Sequence, residues 1–182
     1  MGNQSPMTKV ELIIPSPFNS AAENVDEPEG GLIPMAIKFQ RVDYKTELNG
    51  KQQEAYNYQK VSAVLAEFGW FTIPLRNDWN GADFLIQSTD GKTILPVQLK
   101  GRLTFDKKYE DKNLYICFRD GLNDKDPWYL YPHNELLEAF ISRGKIEGTE
   151  TWKMDKPFHF PTLSDWHREI LHPYQIAETH VD

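Results

Sequence analysis

Three consecutive segments decide how the chain is read: Gly81-Ala82-Asp83-Phe84-Leu85-Ile86, the turn Ser88-Thr89-Asp90-Gly91-Lys92, and Ile94-Leu95-Pro96-Val97-Gln98-Leu99-Lys100-Gly101-Arg102. Two apolar runs flank a polar segment whose Asp-Gly pair favours the positive backbone angles of a tight turn, so two antiparallel strands are expected. Asp83 opens the first strand, and Gln98 and Lys100 end the second. Side-chain alternation sets Gln98 and Lys100 on one face, about 7 Å apart, and Leu95, Val97 and Leu99 on the other. One face belongs to a core and the other is polar.

An acid on one strand beside an amide and an amine on its neighbour is a set that a divalent metal and an attacking water can use. The Asp83 carboxylate, the Gln98 amide oxygen and the Leu99 backbone carbonyl are hard donors suited to Mg²⁺ or Mn²⁺. Lys100 adds a positive charge that can orient or deprotonate water, or stabilise charge building on a phosphate. The plainer alternative makes Lys100 a solvated edge lysine and Asp83 a turn acid. Pro96 is unusual in a central strand, since proline cannot donate to a ladder, and a bulge or an unpaired donor position would accommodate it.

The preceding segment favours the first reading. Gly50 to Phe68 is expected to be a helix, with Tyr58, Val61, Leu65 and Phe68 recurring at three- and four-residue steps. Glu54 lies one turn before Tyr58 on the same stripe, where an acid is costly to bury unless a cation meets it. The bland account places Glu54 in the first turn for its interaction with the helix dipole, worth under about 1 kcal/mol.

At Glu54, Asp83, Gln98 and Lys100 the chain resembles the PD-(D/E)xK nuclease superfamily, whose pattern is a helix bearing an acid, a strand with Asp and a strand with Glu-x-Lys. Ala82 stands where that pattern has proline, and Gln98 where it has glutamate; a Gln-x-Lys version is similar to that of the Mrr-like restriction nucleases. The order of elements also resembles a Holliday-junction-resolvase-like core, over roughly Lys51 to Pro132. The resemblance implies an α/β fold with a restriction-endonuclease-like core, a mixed central β-sheet flanked by helices. It implies a metal-dependent endonuclease acting on DNA, with Glu54, Asp83, Gln98 and the Leu99 carbonyl holding Mg²⁺ or Mn²⁺, Lys100 positioning the nucleophile and Arg102 contacting a phosphate; the charge of the following loop adds Lys107 and Lys108 as expected phosphate contacts. The alternative is a catalytically inactive nuclease-fold module that binds nucleic acid or a protein partner.

Composition sets the frame. The 182 residues, 40% of them hydrophobic and 13% aromatic, suffice for one good core with extensions. The expected organisation is an extended or poorly ordered arm over 1–31 with an edge strand at Val10 to Ile14, a nuclease-like domain over 32–147 beginning with a strand from Leu32 to Val42, and an aromatic-rich C-terminal extension over 148–182 packing on the core. No apolar run reaches the roughly 20 residues of a membrane span, and no signal peptide is expected, which points to a cytoplasmic protein. The net charge of −7 argues against broad attraction to nucleic acid. Positive charge nevertheless gathers beside the proposed site: Lys92, Lys100, Arg102, Lys107, Lys108 and Lys112 lie within 92–112, against three acids.

Elsewhere, Cys117 reads as a small buried hydrophobe. Arg76 to Asn80 reads as a polar loop carrying Trp79, and Thr104 to Lys112 as a charged loop, solvated or a flap over the site. Leu114 to Arg119 and Trp128 to Tyr131 complete a four- or five-stranded sheet. Asn134 is expected to cap a second helix ended by Gly144, and Ser164 or Thr162 a short helix from Asp165 to Leu171. The histidine spacings do not suit a metal site. No helix-turn-helix or zinc module is recognisable, and cutting both strands suggests a homodimer by analogy with other nucleases.

Overall fold

The computed structural model describes residues 37–178 and divides the chain at Leu48 and Asn49. The arm over 1–31, including its expected edge strand, lies outside the described residues. A compact unit begins at Asn49. Residues 37–42, the described part of the expected strand, form no strand, and Ile37, Phe39 and Val42 are exposed. Without a neighbouring ladder an extended segment has no partner for its backbone groups. Just after it comes a turn at Asp43, whose carboxylate accepts from the Lys45 and Thr46 N–H groups, both at 2.8 Å.

In the unit from Asn49, the first helix, α1 (Gly50–Glu67), starts in a capping box. The Asn49 side chain accepts from Gln52 N–H, and the Gln52 side chain accepts from Asn49 N–H. Its stripe buries Val61 and Leu65 fully and Tyr58 and Val64 in part, while Phe68 remains exposed at the C-cap. Helix α1 covers a sheet built from β1 (Trp70–Trp79), β2 (Ala82–Ser88), β3 (Ile94–Leu99), β5 (Tyr115–Arg119) and β6 (Trp128–Pro132), in the order β1-β2-β3-β5-β6. The β1-β2, β2-β3 and β5-β6 pairs are antiparallel and the β3-β5 pair is parallel. The fold is thus α/β with a mixed five-stranded sheet and helices.

Strand β1 runs through the expected polar loop to Trp79, and Asn80-Gly81 turns it into β2. Asn80 (φ 55°) and Gly81 (φ 93°) hold the positive angles that an Asn-Gly hairpin turn takes. The polar run Arg76-Asn77-Asp78 hides this strand because an edge strand can keep one side in water. Pro96 lies opposite Leu85 but one residue before β3 begins its register with β5 at Val97. It therefore occupies a stretch of β3 with one neighbouring strand, which tolerates a missing donor.

The segment expected to be a charged loop, solvated or a flap, buries its first part. Leu103, Thr104, Phe105, Asp106 and Tyr109 are all at most 5% exposed. A short strand β4 (Thr104–Phe105) pairs with β7 (Phe158–His159), and residues 107–109 form a 3₁₀ turn. Charged residues dominate this segment's composition, yet the apolar side chains at 103, 105 and 109 point inward while the lysines face out.

Helix α2 (His133–Ile141) starts two residues earlier than expected, with Pro132 at the N-cap. The Asn134 side chain is occupied with His133 Nδ1, at 3.1 Å. Beyond it come α3 (Glu150–Lys153) and α4 (Asp165–Leu171), the latter following Ser164. The C-terminal extension packs on the core: Trp152, Leu163 and Leu171 join Phe105, Phe118, Tyr131 and Phe140 in one buried cluster, with Phe158, Phe160, Trp166 and Tyr174 against it. Cys117 is buried in the other cluster, under α1, and burial pushes its thiol pKa up. No described helix is long and apolar enough to cross a membrane.

Candidate functional site

The β2-β3 register sets Phe84 opposite Val97, and both are fully buried with Val61 and Leu65 beneath α1. Continued by one residue, that register brings Asp83 opposite Gln98 at the ends of the two strands. Asp83 Oδ2 accepts from the Gln98 amide nitrogen and from Leu99 N–H at 2.8 Å. The same Gln98 nitrogen donates to the Leu99 carbonyl at 3.2 Å, and Gln98 Oε1 accepts from the Tyr109 hydroxyl at 3.0 Å. One connected set of hydrogen bonds therefore runs from Tyr109 through Gln98 to Asp83 and Leu99.

Glu54, on α1, shares a cleft with Asp83 and Leu99 of this set. This cleft of about 320 Å³ is lined by Lys51, Glu54 and Tyr58 from the helix and by Pro74, Asp83 and Leu99 from the strands. Glu54 is solvent-exposed, and as the fifth residue of α1 it lies beyond the first turn, which holds no acid, so the bland account of a first-turn acid does not hold. Tyr58 stands edge-on to Phe84, with ring centres 5.3 Å apart, and its hydroxyl donates to Thr72 Oγ1 at 3.1 Å.

Lys100 follows β3 and is tied to β5 by its N–H to the Cys117 carbonyl at 2.8 Å. Its ammonium lies 5.3 Å from the Tyr109 ring centre, and that of Lys108 lies 4.9 Å from the same centre. Tyr109 thus binds the Gln98 amide with its hydroxyl and gathers two cations on its ring. Gly81 makes room for that ring, since a Cβ there would stand 2.9 Å from Tyr109 Cε1.

The three cations expected to meet phosphates are placed differently. Arg102 is exposed just beyond the site. Lys108 is also exposed, but its ammonium is shared with Asp106 at 3.4 Å. Lys107 pairs with Asp155 and lies 5.3 Å from the Trp152 ring centre, so it is committed to anchoring the C-terminal extension.

Two carboxylates, one amide and one carbonyl form an all-oxygen set of the kind hard divalent cations take. Among the described residues no group of three or more His, Cys, Asp or Glu side chains could hold a metal, so the amide and the carbonyl have to contribute. The Gln98 amide presents its nitrogen to Asp83 and its oxygen to Tyr109, opposite to what ligation requires. A half-turn of the terminal amide exchanges the two, and the Tyr109 hydroxyl, which can donate or accept, satisfies either orientation. The set fits Mg²⁺ or Mn²⁺ on that condition.

Three neighbours escaped the sequence reading. Lys51 was legible, lying one turn before Glu54 on the same helix face. Tyr109 and His159 carried no local signal, because a separate segment and the β4-β7 ladder bring them in. Compared with protein-family models, curated proteins and solved structures, the chain matches none.

Proposed function

We propose that the chain is a metal-dependent DNA endonuclease of the PD-(D/E)xK type, with a restriction-endonuclease-like core. The observation that carries this reading is the convergence of Asp83, Gln98 and the Leu99 carbonyl in one hydrogen-bonded set, with Glu54 lining the same cleft. Water attacks phosphorus, the new P–O bond forms as the bond to one sugar oxygen breaks, and the water's proton is balanced by protonation of the departing alkoxide. Lys100 orients the water and balances charge on the phosphate, while Arg102 and Lys108 hold the backbone on either side. When bound, Mg²⁺ or Mn²⁺ supplies positive charge against the phosphate oxygens, held by Asp83, Glu54, the Leu99 carbonyl and the reoriented Gln98 amide. Two copies acting together account for cleavage of both strands.

One observation favours a second reading, a nucleic-acid-binding module without catalysis. The Gln98 amide already satisfies the Asp83 carboxylate, leaving the acid content without a cation. Plasmid, single-stranded and branched DNA, incubated with Mg²⁺ or Mn²⁺, separates the two. Cleavage that disappears with chelator and in Asp83→Ala supports the nuclease. Binding of the same DNA without cleavage of any form supports the module.

A further inference from the structure

His159 stands outside the hydrogen-bonded set of Asp83 and Gln98. It lies in β7, paired with Thr104 of β4, and is exposed. The Thr104 hydroxyl has two partners: the Arg102 carbonyl oxygen at 3.0 Å and His159 Nδ1 at 3.0 Å. A carbonyl only accepts, so the single hydroxyl hydrogen goes to Arg102. The hydroxyl oxygen must then accept from His159, and Nδ1 carries the hydrogen. This fixes the tautomer of the neutral ring and leaves its lone pair on Nε2.

The charges facing this imidazole come from three places: Lys100 after β3, Arg102 before β4 and Asp106 after β4. Partial burial, then Arg102 and Lys100, hold its pKa below the usual histidine value, and Asp106 opposes them. Near neutral pH the ring is therefore an uncharged proton acceptor beside two fixed cations. That combination suits an anion: a phosphate docked on Lys100 and Arg102 offsets the part of the lowering that the two cations cause and adds an acceptor for a protonated ring.

We propose that Lys100, Arg102 and His159 form a subsite for a DNA backbone phosphate, and that binding transfers one proton from solvent to His159 Nε2. The protonated ring then donates a charge-assisted hydrogen bond to the phosphate. This inference rests on the reading of DNA as the substrate, and it makes His159 a substrate contact that no local motif marks.

The test is the affinity for a labelled short DNA duplex, measured by fluorescence anisotropy with chelator present, from about pH 6 to about pH 8. Wild-type affinity falls by up to about tenfold per pH unit as pH rises, and where the slope is steepest calorimetry in buffers of different ionisation enthalpy shows uptake of about one proton per bound site. His159→Asn, which retains an amide donor for Thr104, binds with no such slope. A wild-type slope preserved in His159→Asn overturns the subsite while leaving DNA as the substrate. Failure of the wild-type protein to bind DNA at any pH overturns both. Inorganic phosphate binding as tightly as the duplex, with the same proton uptake, reassigns the subsite to a phosphate ion and overturns the DNA assignment. Ring-nitrogen NMR shifts add an independent check: the neutral wild-type ring is protonated at Nδ1 and loses that preference in Thr104→Val, whereas an Nε2–H wild-type ring overturns the proposal.

Discussion

The Gln98 side-chain amide donates one hydrogen bond to the Asp83 carboxylate, so a neutral group takes toward that acid the place a cation would take. Exchanging that amide for a carboxylate reverses the relationship. In Gln98→Glu two negative groups face each other, and the cost is relieved by protonation or by a bound cation. We expect Mn²⁺ to bind at least about tenfold more tightly than in wild type, with release of a proton at neutral pH, and the metal-free variant to melt at a lower temperature. Calorimetric titration and thermal unfolding with and without Mn²⁺ check both; equal Mn²⁺ affinity in the two proteins argues against ligation at Gln98.

Lys100 is expected to matter for turnover more than for binding. Lys100→Met keeps the stem that lies over Tyr109 but loses the charge. Single-turnover cleavage drops at least about 100-fold, the scale on which one electrostatic group in an active site acts, while duplex affinity changes by less than about tenfold. Cleavage at the wild-type rate in this variant removes Lys100 from the chemistry.

Tyr109 links the cations to the amide, and its two functions separate by mutation. Tyr109→Phe keeps the ring and loses the hydrogen bond to Gln98 Oε1, at a cost of about 1 kcal/mol in urea unfolding. Tyr109→Leu also removes the aromatic face beneath Lys100 and Lys108 and leaves a void beside Gly81, and should cost about 2 kcal/mol more.

Acid should destabilise the fold through His133. This ring is fully buried; its Nε2 accepts from Asp106 N–H at 3.2 Å, and Nδ1 bonds to Asn134 Oδ1. Burial is the main cause of its lowered pKa, with Asn134 and Asp106 opposing. Because the unfolded chain protonates first, near pH 6.5, this contribution is intact above that pH and declines as pH falls toward the lower folded value. Chemical denaturation at neutral and mildly acidic pH should show that decline, and His133→Gln should flatten it.

A chain ending at residue 147 should not fold cooperatively. It would expose Phe105, Phe118 and Phe140, which pack in one cluster with Trp152, Leu163 and Leu171, and would lose the β7 partner of β4. Dye binding to exposed apolar surface and a broad, non-cooperative melt are expected. A sharp native-like transition would show the extension to be dispensable.

The sequence by itself determined the local elements around the site. Helix periodicity placed α1, with Val61 and Leu65 in its buried stripe, and the Asp-Gly turn between two apolar runs placed β2 and β3. Their register then put Asp83 against Gln98, because a hairpin's turn length fixes its cross-strand pairs. Asn80-Gly81 carried an equally local signal for the first hairpin, though the polar run before it suggested a loop. Only the tertiary structure decided what surrounds those residues. Tyr109 reaches Gln98 because 103–109 turns inward, against its charged composition, and His159 arrives through a ladder of two residues in each strand, too short to have a sequence period. The orientation of the Gln98 amide likewise depends on a hydroxyl eleven residues away. Periodicity reports which face of an element is buried; which distant segment supplies the neighbours is set by how several buried faces share one core.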